Sequence, residues 1–153
     1  MKIVICGAGL VGSAIASHLC EEQNDVTVID ASAENIQRIT DQYDVHGVVG
    51  VASHPDRLAE AGVRDAELLI AVTESDEVNM VACQVSHTIF NTPVKIARIR
   101  STAYLDPAFA AFIARKTCPS TISFRLRQKC RRRLATSFVC QGHLMCRICV
   151  TAK

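Results

Sequence analysis

Five short apolar, β-branched runs alternate with helical patterns, and that alternation predicts an α/β fold: a doubly wound parallel sheet with helices on both faces. Two further observations sharpen the reading. A glycine triplet follows the first run directly, and an aspartate ends the second run 18 residues beyond the last of those glycines. At 153 residues the prior is a single domain.

The first run, Ile3 to Cys6, reads as a buried strand and passes straight into Gly7-Ala8-Gly9-Leu10-Val11-Gly12. Strand, glycine turn and helix together form the context in which Gly-x-Gly-x-x-Gly signals a dinucleotide-binding, Rossmann-like unit. Gly7 lets the chain turn off the strand, Gly9 lets the backbone approach a pyrophosphate, and Gly12 lets the helix pack close to the sheet. The phosphates then face free N–H groups at the positive end of the helix. The helix covers Leu10 to Glu22, with Leu10, Val11, Ala14, Ile15 and Leu19 near helical spacing. His18 and Cys20 on this helix read as packing or surface residues.

The second run, Val26 to Ile29, ends in Asp30, close to the spacing expected of a carboxylate that binds a ribose hydroxyl. A carboxylate there repels a 2′-phosphate, so NAD(H), oxidised or reduced, or an adenine nucleotide is favoured over NADP(H). Ser32 is placed to cap a second helix whose buried side carries Ile36 and Ile39. Val45 to Gly50 reads as the third strand, and Pro55 suits the first turn of a short helix to Ala61. Glu67 to Val72 is the fourth strand.

The loop after that strand, Thr73 to Asn79, lies at the carboxyl end of the sheet, where open α/β sheets bind ligands. Thr73 is read there as a ligand contact, donating or accepting. Asp76 and Glu77 open the next helix, where its dipole favours carboxylates, and are read as caps. That helix runs to about Phe90, Pro93 breaks it, and Val94 to Arg98 is the fifth strand. Arg98 ends on the binding side; meeting a phosphate and pairing with a nearby acid are both open to it.

Charge divides the chain. Up to Asp106 there are seven Lys/Arg against all 15 acids, a net of −8, whereas from Pro107 onward there are ten Lys/Arg and no acid, a net of +10. Five of the eight cysteines fall in that basic tail. No stretch approaches the ~20 uninterrupted apolar residues of a membrane span. The N-terminal apolar run is short and broken by glycines, unlike a secretory leader, so the chain is expected to remain in the cytosol.

The glycine motif, Asp30, Ala52-Ser53-His54-Pro55, Ala71-Val72-Thr73 through Asp76-Glu77-x-Asn79-Met80, Asn91-Thr92-Pro93 and Ala97-Arg98-Ile99-Arg100 resemble an RCK N-terminal domain. More closely they resemble the first domain of the peripheral NAD-binding subunits of the bacterial Trk potassium-uptake system, nearly continuously from Met1 to about Phe112. The resemblance implies a cytosolic sensor, peripheral at the inner face of the membrane. It would be bound to an integral membrane potassium transporter subunit and gate it by nucleotide-driven conformational change. The implied nucleotide contacts fall on Gly7, Ala8, Gly9, Leu10, Val11, Asp30, Val51, Ala52, Thr73 and Arg98. The family forms homo-oligomers through late helices of this domain and the helix after it, a surface this chain carries only in part.

Residues 1–112 thus read as the nucleotide-binding domain, and 113–153 as a poorly ordered basic tail that is not a domain. Cys140, His143, Cys146 and Cys149 are zinc-binding types, but four ligands within ten residues suit a tetrahedral site badly. Arg125, Arg127, Lys129 and Arg131 to Arg133 could meet nucleic acid or anionic lipid by charge, yet aromatic stacking partners are sparse, and no nucleic-acid partner is expected. Re-read one base over, the codons permitted for Lys116 to Cys130 spell NMPVDHFISPEAEV. That string resembles the segment with which Trk subunits continue, so the resemblance implies a tail read out of frame.

No catalytic residue is expected, and the chain is read as a regulator, not an enzyme. The alternatives are a fragment of an NAD-dependent oxidoreductase and a nonfunctional truncated product. A dehydrogenase needs an acid or base at the nicotinamide; His46 and His54 read as surface or cap residues.

Overall fold

The structure is a computed structural model that describes residues 1–101, residue 103 and the backbones of three later strands. Strands and helices alternate: β1 (Lys2–Cys6), α1 (Leu10–Glu21), β2 (Asp25–Asp30), α2 (Ala33–Gln42), β3 (His46–Val49), α3 (Pro55–Glu60), β4 (Leu68–Ala71), α4 (Asp76–Thr88) and β5 (Val94–Arg98). A short 3₁₀ turn, Val63–Asp65, precedes β4. The strand order is β3-β2-β1-β4-β5, every pairing parallel. Winding therefore reverses between β1 and β4, and a crevice opens at that switch outside the strand ends.

A parallel sheet covered on both faces needs strands that are apolar at successive positions. In β1 this is met from Ile3 to Cys6, all buried. Alternate side chains feed two cores. Ile3 and Ile5 join Ile15, Leu19, Val28, Ile36 and Ile39 beneath α1 and α2. Val4 and Cys6 join Leu58, Val63, Leu69, Ala82 and Phe90 beneath α3 and α4.

Most boundaries fall within two residues of the expected ones, and the exceptions have local causes. The α1 helix ends at Glu21 because Gln23 takes a left-handed φ of 60°, after which Asn24 caps Leu19 through its Nδ2 at 2.9 Å. Asn91, at φ 55°, turns the chain after α4 in the same way. Glycine usually fills such positions; here amide side chains do, so no glycine marks them in the sequence. The apolar stripe expected on α1 is also displaced. Leu10 is 87% exposed, whereas the buried residues are Gly12, Ile15, Ala16 and Leu19.

Within the stretch read as a poorly ordered tail, β6 (Thr121–Phe124) pairs in parallel with β5. Strands β7 (Leu134–Ser137) and β8 (Arg147–Val150) form an antiparallel pair. Edge pairing is made by backbone groups, which side-chain periodicity does not encode. The expectation of a poorly ordered tail, and the side-chain groupings around Cys140 and Arg131, otherwise lie outside the described residues. Among the described residues no helix is long and apolar enough to cross a membrane.

Leu58 is fully buried, so Leu58→Ala is expected to lower the free energy of unfolding by about 2–5 kcal/mol. Leu10→Ala is expected to change it by less than about 0.5 kcal/mol. Urea titration followed by circular dichroism measures both, and equal losses would contradict the burial pattern.

Candidate functional site

The glycine loop closes the carboxyl end of β1 and opens α1. Gly7 has φ +108°, a left-handed conformation, and a Cβ there would lie 3.0 Å from the Thr73 backbone nitrogen. Its N–H donates to the Ile29 carbonyl at 2.7 Å, which ties the loop to β2. A Cβ on Gly12 would stand 1.8 Å from the Gly7 carbonyl oxygen, so only glycine allows α1 this close to the strand end. Gly9 differs: a Cβ there would meet nothing within 4 Å. It is the N-cap of α1 and offers no side-chain cap, so the first-turn N–H groups lack an intrahelical acceptor.

Asp30 faces this loop. Its Oδ2 accepts the Ala8 N–H at 2.7 Å, and its Oδ1 accepts the Ser32 N–H at 2.8 Å. The carboxylate thus holds the loop and the entry to α2 at once, besides any ligand. Ser32 caps α2 as expected, accepting the Asn35 N–H at 3.3 Å.

Across the switch point, Thr73 leaves β4. Its N–H donates to Asn79 Oδ1 at 2.9 Å, and its hydroxyl lies 2.7 Å from the same oxygen and 3.1 Å from the Ser75 carbonyl. Both of those are acceptors, so the single hydroxyl proton stays within the fold. What Thr73 Oγ1 can offer a ligand is a lone pair. Asn79 is fully buried and also donates to the Arg98 carbonyl at 2.9 Å. One amide therefore fixes the ends of β4 and β5 together. The sequence reading missed it as a site residue; an asparagine at a helix position facing the sheet was the available signal.

The α4 caps divide their work differently from the expectation. Ser75 is the N-cap, accepting the Val78 N–H at 3.2 Å and donating to Glu77 Oε2 at 2.7 Å. Asp76 turns the other way. It is 8% exposed, and its Oδ2 accepts the backbone N–H groups of Arg100 at 2.9 Å and Ser101 at 2.7 Å. Of the two outcomes open for Arg98, pairing with an acid is not found among the described residues; the ion pair of Asp76 is with Arg100 Nε, 3.7 Å from Oδ1. Arg98 Nε is buried without a hydrogen-bond partner. Burial, and then Arg100, pull its pKa down, while Asp76 opposes them.

A cavity of about 380 Å³ lies between these elements, within the range of small-molecule sites. Of the expected residues it brings together Gly7, Gly9, Asp30, Val51, Ala52 and Thr73. Ser32, Asn35, Gly50, Glu74 and Ser75 line it as well, although sequence reasoning had not chosen them. Ala8 is buried behind the loop; Leu10, Val11, Gly12 and Arg98 are not on the lining. No histidine, lysine, tyrosine or cysteine lines it among the described residues, and His46 and His54 are exposed elsewhere. The Cys6 thiol beneath the loop is fully buried, and burial pushes its pKa up to about 12. Among the described residues no group of three or more His, Cys, Asp or Glu is placed to hold a metal ion.

The arrangement offers free N–H groups and an open approach at Gly9, a carboxylate bonded to the same loop, and apolar lining at Val51 and Ala52. Such a cleft can bind an extended polar ligand with an anionic centre.

Comparison with known proteins agrees on family and fold. The model of the TrkA-N domain matches residues 3–117. The Trk system potassium uptake protein TrkA of Azorhizobium caulinodans is 59% identical over 119 residues, covering 78% of this chain and 26% of that protein. The protein of the same name from Halomonas elongata is 54% identical over 105 residues, covering 69% and 23%. The chain thus spans about a quarter of the length of these relatives. Among solved structures, the TrkA-N domain of the inner membrane protein ybaL from Escherichia coli superposes with a TM-score of 0.64 at 19% identity, covering 80% of this chain and 86% of that one. A GsuK channel bound to NAD superposes with a TM-score of 0.62 at 17% identity, covering 78% and 21%. Likeness at that identity speaks for the Rossmann-like fold alone.

Gly12→Ala is expected to lower stability by about 1–3 kcal/mol, because its methyl meets backbone. Gly9→Ala is expected to leave stability unchanged or raise it by up to about 1 kcal/mol. Thermal unfolding of the two variants side by side tests this, and a destabilised Gly9→Ala would contradict the open space at that position.

Proposed function

This chain belongs to the TrkA-N domain family, and on that premise we propose that it is a nucleotide-binding regulatory module of a bacterial Trk-type potassium-uptake system. The ligand is NAD(H), with adenine nucleotides as competitors for the same cleft. The module sits in the cytosol, peripheral to the membrane, against an integral membrane potassium transporter subunit, and ligand-dependent change in this domain gates that subunit. The relatives' names support the potassium-uptake setting.

The observation that carries the nucleotide reading is that Gly9 and Asp30 line one cavity. Gly9 leaves space beside unpaired helix N–H groups where a pyrophosphate fits. Asp30 stands where a ribose diol would donate, and its oxygens are held in place by Ala8 and Ser32. Thr73 supplies an acceptor on the opposite wall. Arg98, at the end of β5, is off the lining, and its carbonyl accepts from Asn79.

A regulatory role is favoured over an oxidoreductase by what lines the cavity. Hydride transfer needs a proton donor or acceptor near the nicotinamide, and the lining's titratable side chains are Asp30 and Glu74 among the described residues. Asp30 is engaged with backbone N–H groups at the opposite, ribose end. Turnover of candidate substrates with NADH at ordinary enzyme rates would overturn the regulatory reading.

We also infer that residues 113–153 are read out of frame. The family match ends at residue 117, beside the point where the shifted string begins. Resequencing the gene from independent genomic DNA across codons 105 to 130 tests this. A one-base insertion or deletion is expected; a confirmed frame would overturn the inference.

For the cleft itself, isothermal titration of NADH into the full chain is expected to show binding that Asp30→Ala weakens at least about tenfold, the loss of a charge-assisted hydrogen bond. Gly9→Ala, still folded, is expected to lose binding because its methyl occupies the pyrophosphate space. Unchanged affinity in both variants would remove these residues from the site.

A further inference from the structure

At the Asp30 end of the cleft, four residues close a ring of hydrogen bonds. The Ala8 N–H donates to Asp30 Oδ2 at 2.7 Å, and Asn35 Nδ2 donates to Asp30 Oδ1 at 3.4 Å. Arg38 Nη2 then donates to Asn35 Oδ1 at 2.9 Å and to the Ala8 carbonyl at 3.3 Å. The Asn35 amide stands between the two charges, its nitrogen toward the carboxylate and its oxygen toward the guanidinium. Asp30 and Arg38 are thereby held side by side at the rim without pairing directly.

The charges are satisfied very differently. Asp30 accepts from three N–H groups: Ala8, Ser32 and Asn35. Arg38 is exposed, and among the described residues it forms no ion pair. A guanidinium carries five N–H donors in a fixed fork, and both of its bonds here come from one nitrogen. Arg38 is itself off the cavity lining but is bonded to Asn35, which lines it, and its Nε and Nη1 donors have no partner among the described residues. Lone carboxylates at this place exclude a 2′-phosphate, whereas a nearby arginine accommodates one. Here both are present, and Asn35 fixes their relation.

We propose that Arg38 is a specificity-determining residue of the cleft: its free N–H groups take a ribose 2′-phosphate, so the site binds NADP(H) as well as NAD(H). Asn35 is the positioning residue that keeps the guanidinium off Asp30. The proposal rests on the nucleotide reading of the cleft and reverses the exclusion of NADP(H) that Asp30 alone implies.

The test is calorimetric titration of NADH and NADPH into the full chain and its Arg38→Ala and Arg38→Lys variants. The wild-type chain is expected to bind NADPH within about tenfold of NADH. Arg38→Ala is expected to weaken NADPH by about tenfold or more while moving NADH by less than about threefold, since the lost contact is a charge-assisted one to phosphate. Arg38→Lys is expected to restore part of that loss, an ammonium being a point charge without the fork. Adenosine 2′,5′-bisphosphate against 5′-AMP repeats the comparison without the nicotinamide half. Binding of NADH without NADPH, or equal losses of both in Arg38→Ala, would overturn the role of Arg38 alone. Failure of both cofactors to bind the wild-type chain would instead overturn the nucleotide reading beneath it.

Discussion

The close approach of α1 to the end of β1 is the constraint on which the rest of this domain depends. Only a residue without a Cβ can stand at position 12, because a methyl would lie 1.8 Å from the Gly7 carbonyl oxygen. That contact sets the direction of α1 and hence where its unpaired N–H groups point. It also lets Ile15, Ala16 and Leu19 reach the sheet, so the functional geometry and one of the two cores share a single steric origin. Asp30 completes the arrangement from β2 by gripping the Ala8 N–H. Loop, helix and second strand behave as one unit.

The opposite wall is built on a different principle. There, position is set by buried polar groups: Asn79 binds Thr73 and the Arg98 carbonyl, and Asp76 binds the Arg100 and Ser101 N–H groups. Buried polar groups with their partners in place specify a structure, because leaving one unpaired costs about 1–3 kcal/mol. The cleft therefore lies between a wall fixed by close steric contact and a wall fixed by hydrogen bonds.

The parts of this fold that were legible in the sequence are those governed by short-range rules. The strands stood out because burial on both faces demands successive apolar residues, as in Ile3 to Cys6. Ser32 and Pro55 marked helix starts through their local chemistry. The parts that were hidden depend on partners distant in sequence or on uncommon choices. Gln23 and Asn91 end helices in conformations usually given to glycine. Leu10 looked like a core residue by spacing, yet at the first position of α1 it faces outward. Asn79 and Asp76 read as ordinary residues of a helix start, because their partners lie 19 to 25 positions away. Within the site, the Asp30 signal was clear, whereas Arg38 sat unnoticed among the polar residues of α2 until the fold brought it to Ala8.

The burial of Cys6 bears on how this domain meets its surroundings. Its thiol lies directly beneath the glycine loop but is shut away from solvent and held protonated at neutral pH, and Cys83, the neighbour in the same core, is buried as well. Thiolate is the form that oxidants attack. Peroxide or disulfide exchange thus has no route to the cleft through these two sulfurs. The core beneath the cleft is thus chemically inert toward oxidants at these two positions.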